Sequence, residues 1–302
     1  MISPAAVLAV DIGGTKVDAA VVTSDGTVLR ASVARRETGR GNDRATIAAN
    51  IRAAAEEALA AVPEVRVGAI GVGSAGPVDL PSRSVSPLNL PQAAGLTVDE
   101  VLGGLVDGPL TLALDGTCIA LAEHWRGALV GCDNAMAIVV STGVGGGFVL
   151  GGHPITGASG NAGHLGQTFV RTVGDDVAAA TLEAVAAGPG SVAWARAQGW
   201  SGETGLDLAA SYRAGDEVAI AAVRRSAAAV GQAIAAAATL CDLEAVAIAG
   251  GFSHVADDYI DLVRAAAAAA SLHTYARRCR VVPSGLDGDG PLLGAAALAL
   301  RA

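Results

Sequence analysis

The sequence is poor in lysine and in aromatic residues. Lys16 is the single lysine among twenty basic residues, and aromatic side chains make up 3% of the 302 residues. The formal net charge is -9, and the sequence contains no basic segment of the kind that binds nucleic acid or anionic membranes. We therefore expect no nucleic-acid partner. The core has to be built from small side chains, mainly Ala, Val and Leu, which favours helices lying close on a sheet.

Patterns that mark disulfides, zinc sites or membrane spans are also missing. The four cysteines are far apart and form no CxxC pair, which predicts reduced thiols and a cytoplasmic protein. The N-terminal apolar run ends at Asp11 and does not resemble a targeting segment. The most apolar later stretch, residues 227–240, contains Gln232 and is shorter than the about 20 residues that span a bilayer. We expect no membrane partner.

A strand-and-turn pattern occurs twice in the chain. Apolar residues 6–10 run into the glycine turn DIGGT, and a further strand with a turn at Asp25–Gly26 follows. Residues 134–155 repeat the series of strand, glycine turn, strand and glycine turn. Helices and further strands follow the hairpins in both halves. The repeat predicts an α/β protein of two similar halves, each a mixed sheet, with a cleft between them.

The other segments have patterns that are typical of single helices or strands. The predicted strands are 67–79, 110–114, 245–251 and 280–284. The predicted helices are 45–62, one from about Thr117, 177–187, 216–241, one between the last two strands, and 291–301.

Asp115 is a single carboxylate within the apolar stretch LTLALDGTCIALAEHW. A charge in such surroundings is costly unless it is paired, liganded or used. It lies where a predicted strand ends and a predicted helix begins, a position that suits a site residue. The alternative is a structural role as the N-cap of that helix.

Glycine turns bring backbone N–H groups close to a ligand because glycine has no Cβ, and phosphate needs such donors. The turn DIGGTK adds the Thr15 hydroxyl, the Lys16 ammonium and the Asp11 carboxylate. A second turn, STGVGGG, covers residues 141–147, and a third glycine pair follows the predicted strand 245–251. Each could be only a tight turn. Two glycine turns at matching places in a repeated fold favour phosphate binding.

Several motifs, in order along nearly the whole chain, resemble those of the ROK sugar kinases of the actin-like, hexokinase-type ATPase superfamily. They are VLAVDIGGTK, GVGSAGPVD, STGVGGG, GASGNAGHLG, LEAVAAGPG, AIAGG and GPLLGAAALA. The resemblance implies two actin-like (ribonuclease H-like) domains, residues 1–117 and 118–302, with the final helix, 290–302, packing back on the first. It also implies a homodimer that uses ATP and Mg²⁺ to phosphorylate the primary (C6) hydroxyl of a hexose.

The resemblance further implies roles for individual residues. Asp115 would be the general base, and Asp11 would hold Mg²⁺ through water. The residues expected to bind ATP are Asp11, Gly13, Gly14, Thr15, Lys16, Thr142, Gly143, Gly250 and Gly251. The residues expected to bind the sugar are Gly73, Asn89, Leu114, Asp115, His164, Gln167 and Glu183.

The sequence departs from the family pattern around the sugar and at the zinc site. The family usually has Asn before the catalytic Asp, then GExGH, then a cysteine cluster closing with GCLE. Here Leu114 stands in place of that Asn, and GHLGQ, with His164 and Gln167, stands in place of GExGH. The third motif reads VGDDVAAATLE and contains no cysteine. Because the zinc ligands of the family are missing, we expect no zinc. A helix beginning near Asp175 is expected to support the loop instead.

The changes at Leu114 and His164 affect the part of the family's pocket that binds around C3 and C4 of the sugar. They predict a glucose analogue modified at C3, such as kanosamine (3-amino-3-deoxyglucose), and hence a role in antibiotic biosynthesis. His164 as an ordinary loop histidine remains an alternative. Other candidate functions are a glucokinase, an N-acetylmannosamine kinase, a ROK-type sugar-sensing regulator without kinase activity, and a silent scaffold. The intact Asp11, Asp115 and glycine turns favour a kinase.

Overall fold

The computed structural model describes residues 5–39, 41–170, 176–286 and 288–301. Its strands are β1 (Ala6–Ile12), β2 (Lys16–Thr23), β3 (Ala34–Glu37), β4 (Val67–Ser74), β5 (Val78–Asp79), β6 (Ser84–Val85), β7 (Leu96–Thr97), β8 (Leu110–Leu114), β9 (Ala135–Val140), β10 (Val144–Leu150), β11 (His153–Ile155), β12 (Ala245–Ala249) and β13 (Arg280–Pro283).

Its α-helices are α1 (Arg44–Ala60), α2 (Val98–Leu102), α3 (Asp115–Arg126), α4 (Leu182–Ala186), α5 (Gly188–Ala197), α6 (Gly205–Arg213), α7 (Glu217–Cys241), α8 (Tyr259–Ala270), α9 (Thr274–Arg277) and α10 (Gly290–Leu300). Short 3-10 helices cover Arg30–Ser32, Pro91–Ala93, Leu165–Gln167, Ala178–Ala180 and Gly251–His254.

The chain divides into two compact units. Unit 1 comprises Met1–Gly127, Pro154–Gly163 and Leu286–Ala302. Unit 2 comprises Ala128–His153 and His164–Gly285.

The sheet of unit 1 has the strand order β3-β2-β1-β4-β8. β1 pairs with β2 antiparallel and with β4 parallel, and β4 pairs with β8 parallel. In this register Ile12 lies beside Ser74, and Ser74 beside Leu114. The carboxyl ends of three parallel strands therefore meet at one edge, which is where open α/β sheets place ligands.

Helices cover both faces of the sheet in unit 1. Strand residues alternate between the faces: Leu8 and Val10 belong to the core beneath α1, whereas Val7 and Ala9 belong to the core beneath α3 and α10. The residues of α1 that are buried at helical spacing are Ile47, Ile51, Ala54, Ala55 and Ala58.

The C-terminal helix α10 lies very close to the backbone of unit 1. A Cβ on Gly71 of β4 would be 1.8 Å from the Ala295 carbonyl oxygen, and a Cβ on Gly294 would be 2.0 Å from the Cys118 carbonyl oxygen. Only glycine fits at either position without a shift of the backbone. The small side chains in the sequence therefore allow this close layer.

Unit 2 repeats the arrangement of unit 1, with the strand order β11-β10-β9-β12-β13. β9 pairs antiparallel with β10 and parallel with β12, and β12 pairs parallel with β13. This repeat confirms the predicted α/β fold of two similar halves with hairpins first and helical crossovers later. By length and composition α7 is the one helix among the described residues that could cross a bilayer, yet it is mostly buried, like the core helix of a soluble protein.

Some predicted elements have different bounds in the structure. The predicted strand 67–79 is two strands in the structure: β4 ends at Ser74, and β5 belongs to a separate three-stranded sheet of order β5-β6-β7. The predicted strand 245–251 ends at Ala249, since Gly250 has a φ of 99°. The predicted helix 177–187 is a 3-10 turn, Ala178–Ala180, followed by α4. Its expected start near Asp175 lies outside the described residues.

Three helices of unit 2, α5, α6 and the short α9, were not predicted from the sequence. α6 begins with a capping box in which Thr204 accepts from the Asp207 N–H, and Asp207 accepts from the Thr204 N–H. The T-x-x-D spacing was therefore an available signal. α5 has a proline in its first turn, which also marks a helix start.

Candidate active site

Asp11 lies at the edge where the parallel strands of unit 1 end. It pairs with Gly73 of β4, and Gly73 in turn pairs with Ala113 of β8, two positions before Asp115. A Cβ on Gly73 would be 3.7 Å from Asp11 Oδ1 and 3.1 Å from the sulfur of Cys118. The sheet register therefore brings Asp11, Gly73 and Asp115 into one neighbourhood.

The carboxyl group of Asp11 is strongly perturbed. Burial is the largest cause and, together with the negative charges of Asp115 and Asp18, raises its pKa from 3.8 to about 7, against a smaller decrease from Lys16. Asp11 as a whole residue is half-buried, and its carboxyl group is the poorly solvated part. Burial also raises the pKa of the neighbouring Cys118 thiol, and Asp11 and Asp115 add to that rise. Perturbed carboxyl groups of this kind are typical of functional sites.

Asp115 is the first residue of α3, not its N-cap. The helix begins two positions earlier than predicted, and its N-cap is Leu114, which makes no side-chain capping bond. Asp115 Oδ1 accepts from the Gly116 N–H at 2.6 Å. The positive end of the helix dipole favours a negative charge there. The capping alternative therefore does not describe the position that Asp115 takes in the structure.

The first glycine turn is closed by its own backbone and covered by Asn89. The Gly13 N–H donates to the Lys16 carbonyl at 2.9 Å, and the Thr38 hydroxyl donates to the Gly13 carbonyl at 2.8 Å. A Cβ on Gly14 would be 2.2 Å from Asn89 Nδ2. Asn89, which was predicted as a sugar-binding residue, thus lies directly against this turn. Glycine is required at position 14 for that close approach.

Lys16 and Asp18 form an ion pair that sequence reasoning missed. The Lys16 ammonium is 3.0 Å from Asp18 Oδ2, and the Arg35 guanidinium contacts the same carboxylate at 2.5 Å. Burial raises the pKa of Asp18, but hydrogen bonds from Arg35 and Lys16 outweigh that effect and hold the pKa below its usual value. Residues two apart on a strand share a face, so the spacing of Lys16 and Asp18 was a usable signal.

The second glycine turn lies in unit 2 between β9 and β10. The Ser141 N–H donates to the Gly143 carbonyl at 2.9 Å, which closes the turn around the exposed Thr142. The Val144 N–H donates to Glu183 Oε2 at 2.9 Å. A Cβ on Gly143 would be 2.6 Å from that same oxygen. The structure thus brings Thr142, Gly143 and Glu183 together.

The third glycine pair adjoins the second turn. Gly250 has a φ of 99°, and a Cβ there would be 2.4 Å from the Val140 carbonyl oxygen. Both the φ and the close approach require glycine. A Cβ on Gly251 would be 4.0 Å from the Ser141 hydroxyl. Two of the three predicted glycine motifs therefore meet within unit 2.

The positions that depart from the family pattern lie in different surroundings. Leu114 is buried, with 2% of its surface exposed, and belongs to the core of unit 1. His164 is half-buried and comes directly before the 3-10 helix Leu165–Gln167. The Gln167 N–H donates to the His164 carbonyl at 3.1 Å. The Gln167 amide donates to Glu183 Oε1 at 3.3 Å. Gln167 and Glu183 are thus in contact, and Leu114 faces the core.

Residues 7–302 of the chain match the ROK family. The chain is 35% identical to an N-acetylmannosamine kinase of Yersinia pseudotuberculosis over 268 residues, which cover 86% of this chain and 87% of that protein. Among solved structures it is similar to a ROK hexokinase of Thermus thermophilus, with a TM-score of 0.83, 29% identity and 98% coverage of both chains. It is also similar to a ROK family glucokinase of Streptomyces griseus in complex with glucose and AMPPNP, with a TM-score of 0.82, 28% identity, and coverage of 98% of this chain and 100% of that one.

We predict that stability falls as the pH rises through the titration of Asp11. Because the pKa is about 7 in the folded state and 3.8 is the ordinary value, the folded state keeps a proton that the unfolded state loses from about pH 4 upward. Below about pH 4 the proton on Asp11 contributes its full stabilisation to the folded state. As the pH rises from there through 7, the free energy of unfolding falls by about 2 to 4 kcal/mol. Urea unfolding in EDTA at pH 5 and pH 7.5 measures this loss.

The variant Asp11→Asn removes the titrating group and should flatten this pH dependence. The control is Asp25→Asn, because hydrogen bonds from Thr23 and Thr27 lower the pKa of Asp25 and place its titration below the tested range. The control should keep the slope of the parent chain. Equal slopes in the parent and in Asp11→Asn would contradict the assignment.

Proposed function

Because the chain belongs to the ROK family, we propose that it is an ATP-dependent kinase of the primary (C6) hydroxyl of a hexose. The observation that carries this proposal is the position of Asp115, at the start of α3 and beside the perturbed carboxyl of Asp11. The similarity to an N-acetylmannosamine kinase and to a glucokinase in complex with glucose and AMPPNP supports a sugar and ATP as substrates. We also propose a cytoplasmic homodimer, as the resemblance to the family implies.

In this proposal Asp115 is the general base. Its carboxylate accepts the proton of the C6 hydroxyl as that oxygen attacks the γ-phosphorus of ATP. The new bond joins the sugar oxygen to phosphorus, the bond from phosphorus to the bridging oxygen breaks, and its electron pair leaves with ADP. Asp115 lies in the first turn of α3, where the positive end of the helix dipole favours a negative charge.

Backbone N–H groups of the glycine motifs are proposed to bind the phosphates of ATP. The turn with Gly13 and Gly14, the turn with Thr142 and Gly143, and the pair Gly250–Gly251 each contain glycine, which has no Cβ and so lets a phosphate approach the backbone. Thr15 and Lys16 belong to the same proposal. The Lys16 ammonium stays near the first turn because Asp18 holds it at 3.0 Å, so it adds positive charge there.

The surroundings of Asp11 fit a divalent cation. The Asp11 carboxyl is poorly solvated, and repulsion from the nearby charge of Asp115 contributes to its raised pKa. A cation nearby would offset that repulsion. Asp11 would hold Mg²⁺ through water, and Mg²⁺ bound with ATP supplies charge neutralisation at the phosphates.

The segment before α4 is proposed to hold no zinc. The sequence has no cysteine between Cys132 and Cys241, and Gln167, at the position of a family zinc ligand, donates its amide to Glu183 instead. An amide and carboxylate pair does not replace the thiolate and imidazole ligands that structural zinc sites use.

The proposed sugar is a glucose analogue modified at C3, such as kanosamine, and the pathway is antibiotic biosynthesis. Leu114 replaces an amide of the family pattern with a side chain that lies in the core, so no polar group remains there for a C3 or C4 hydroxyl. His164 replaces a carboxylate, and a neutral imidazole can accept a hydrogen bond from an amino group. Gly73, Asn89, Gln167 and Glu183 supply the other proposed contacts. Glucose and N-acetylmannosamine are the competing substrates.

Asp115→Asn is expected to lower kcat by about a thousandfold, because the amide cannot accept the hydroxyl proton. KM for ATP and for the sugar should change little. Steady-state kinetics with coupled ADP release measures both, and the exposed Asp107→Asn in the same unit is the control that keeps full activity. Turnover within about tenfold of the parent would mean that Asp115 has a structural role.

Purified protein is expected to contain no stoichiometric zinc. Elemental analysis measures it directly, and a chelator should leave the melting temperature unchanged, as well as the activity when excess Mg²⁺ is restored. One zinc per chain would show that the segment from His164 to Glu183 has been misinterpreted.

Kanosamine is expected to have a higher kcat/KM than glucose or N-acetylmannosamine, since a site built around one polar group can reject its analogue strongly. A panel of hexoses and aminosugars with coupled ADP release measures this. The double change Leu114→Asn with His164→Glu should shift preference toward glucose. Because Leu114 is buried and Asn there can destabilise the core, His164→Glu alone is tested beside it. Glucose or N-acetylmannosamine phosphorylated as well as kanosamine would contradict the assignment.

A further inference from the structure

We propose that Glu183 is a positioning residue for the second glycine turn, residues 141–147, in addition to its proposed contact with the sugar. This inference rests on the proposed function, in which that turn binds the phosphates of ATP. Both oxygens of the Glu183 carboxylate already have donors from the protein. Oε2 accepts from the Val144 N–H at 2.9 Å, and Oε1 accepts from the Gln167 amide at 3.3 Å.

The turn is shaped to admit this carboxylate. A Cβ on Gly143 would be 2.6 Å from Glu183 Oε2. A Cβ on Gly166 would be 1.9 Å from the Val144 carbonyl oxygen and 3.4 Å from Glu183 Cβ. Glycine at both positions therefore opens the space in which Glu183 reaches the backbone of the turn.

The segment that carries Glu183 holds the turn at a second point. The Gly188 N–H at the start of α5 donates to the Ser141 carbonyl at 2.9 Å. Between the two contacts lies α4, whose N-cap Thr181 accepts from the Ala184 N–H at 3.2 Å and whose Leu182 is fully buried. The α4–α5 segment therefore holds the turn at two points. Gly188 binds Ser141, where the turn begins, and Glu183 binds Val144, where β10 begins.

A hydrogen bond from an N–H to a carboxylate is stronger than one between neutral groups. Val144 is buried, with 4% of its surface exposed, so the loss of Glu183 would leave its N–H without its carboxylate acceptor in poorly solvated surroundings. The intact bond holds the backbone of the turn in one conformation before a nucleotide arrives, which lowers the cost of ordering on binding. In the proposed site the Glu183 carboxylate therefore contacts both the sugar and the backbone of the turn.

The test measures ADP binding with Mg²⁺ by calorimetry in the absence of any sugar. Glu183→Ala is expected to raise the Kd of ADP about tenfold and to speed amide hydrogen exchange in peptides that cover residues 141–147. Glu183→Gln keeps one acceptor oxygen for Val144 and should restore most of the affinity and the protection. Gln167→Ala, which leaves the Val144 bond in place, should have a smaller effect than Glu183→Ala.

Glu244 provides a matched control within unit 2. Its Oε1 accepts from the Asp133 and Asn134 N–H groups, each at 2.8 Å, just before β9. The six residues of β9 separate that contact from the glycine turn, a distance of about 20 Å. Glu244→Ala therefore removes the same kind of bond from the same sheet, and it should leave the Kd of ADP and the exchange of residues 141–147 unchanged.

An unchanged Kd of ADP and unchanged exchange in Glu183→Ala, with only sugar affinity reduced, would overturn the inference. If Glu183→Ala does not fold, Glu183→Leu decides it, because leucine fills similar space but offers the Val144 N–H no acceptor; an unchanged Kd of ADP and unchanged exchange in that variant would overturn the inference as well. A parent chain that binds no ADP would overturn the proposed function instead, and amide exchange in the ligand-free variants would still decide whether Glu183 positions the turn.

Discussion

The candidate site of unit 1 is dominated by the buried carboxyl of Asp11, which lies near the charge of Asp115. Burial and the charge of Asp115 raise the pKa of Asp11 to about 7, which means that the charged form is unfavourable where it stands. The fold limits this cost: Asp115 lies in the first turn of α3, and Lys16 reduces the shift. Gly73 adds no side chain beside Asp11. A carboxyl group perturbed in this way is typical of a functional site.

The second constraint is the close approach of backbone to backbone. Gly71 and Gly294 let α10 lie directly on the sheet and on α3 of unit 1, and Gly250 lets the chain pass the carbonyl of Val140 in unit 2. The absence of a Cβ on glycine also leaves the backbone N–H groups of the glycine turns accessible. A composition rich in small residues therefore serves both the packing of the helices and the chemistry of the turns, and large aromatic side chains would fit neither.

The order and type of most elements could be predicted from the sequence. Periods of apolar residues indicated α1, α7, β8 and β12, and the repeated hairpins indicated two similar halves. The ends of elements were less predictable, because they depend on the local backbone and on which sheet a segment joins: Gly250, with its φ of 99°, ends β12, and β5 joins a different sheet from β4. The capping box of Thr204 and Asp207 at α6 was visible in the sequence and was missed, as was the shared strand face of Lys16 and Asp18.

The sequence by itself determined that Asp115 stands between a strand and a helix, that glycine turns occur at matching places in both halves, and that residues 164–183 lack cysteine. These are local properties, set by residue type and spacing. Only the tertiary structure decided that Asn89 lies against Gly14, that Leu114 faces the core, and that Glu183 accepts from the Val144 N–H. Such contacts depend on which faces of distant segments pack together, and the pattern of a single segment does not contain that information.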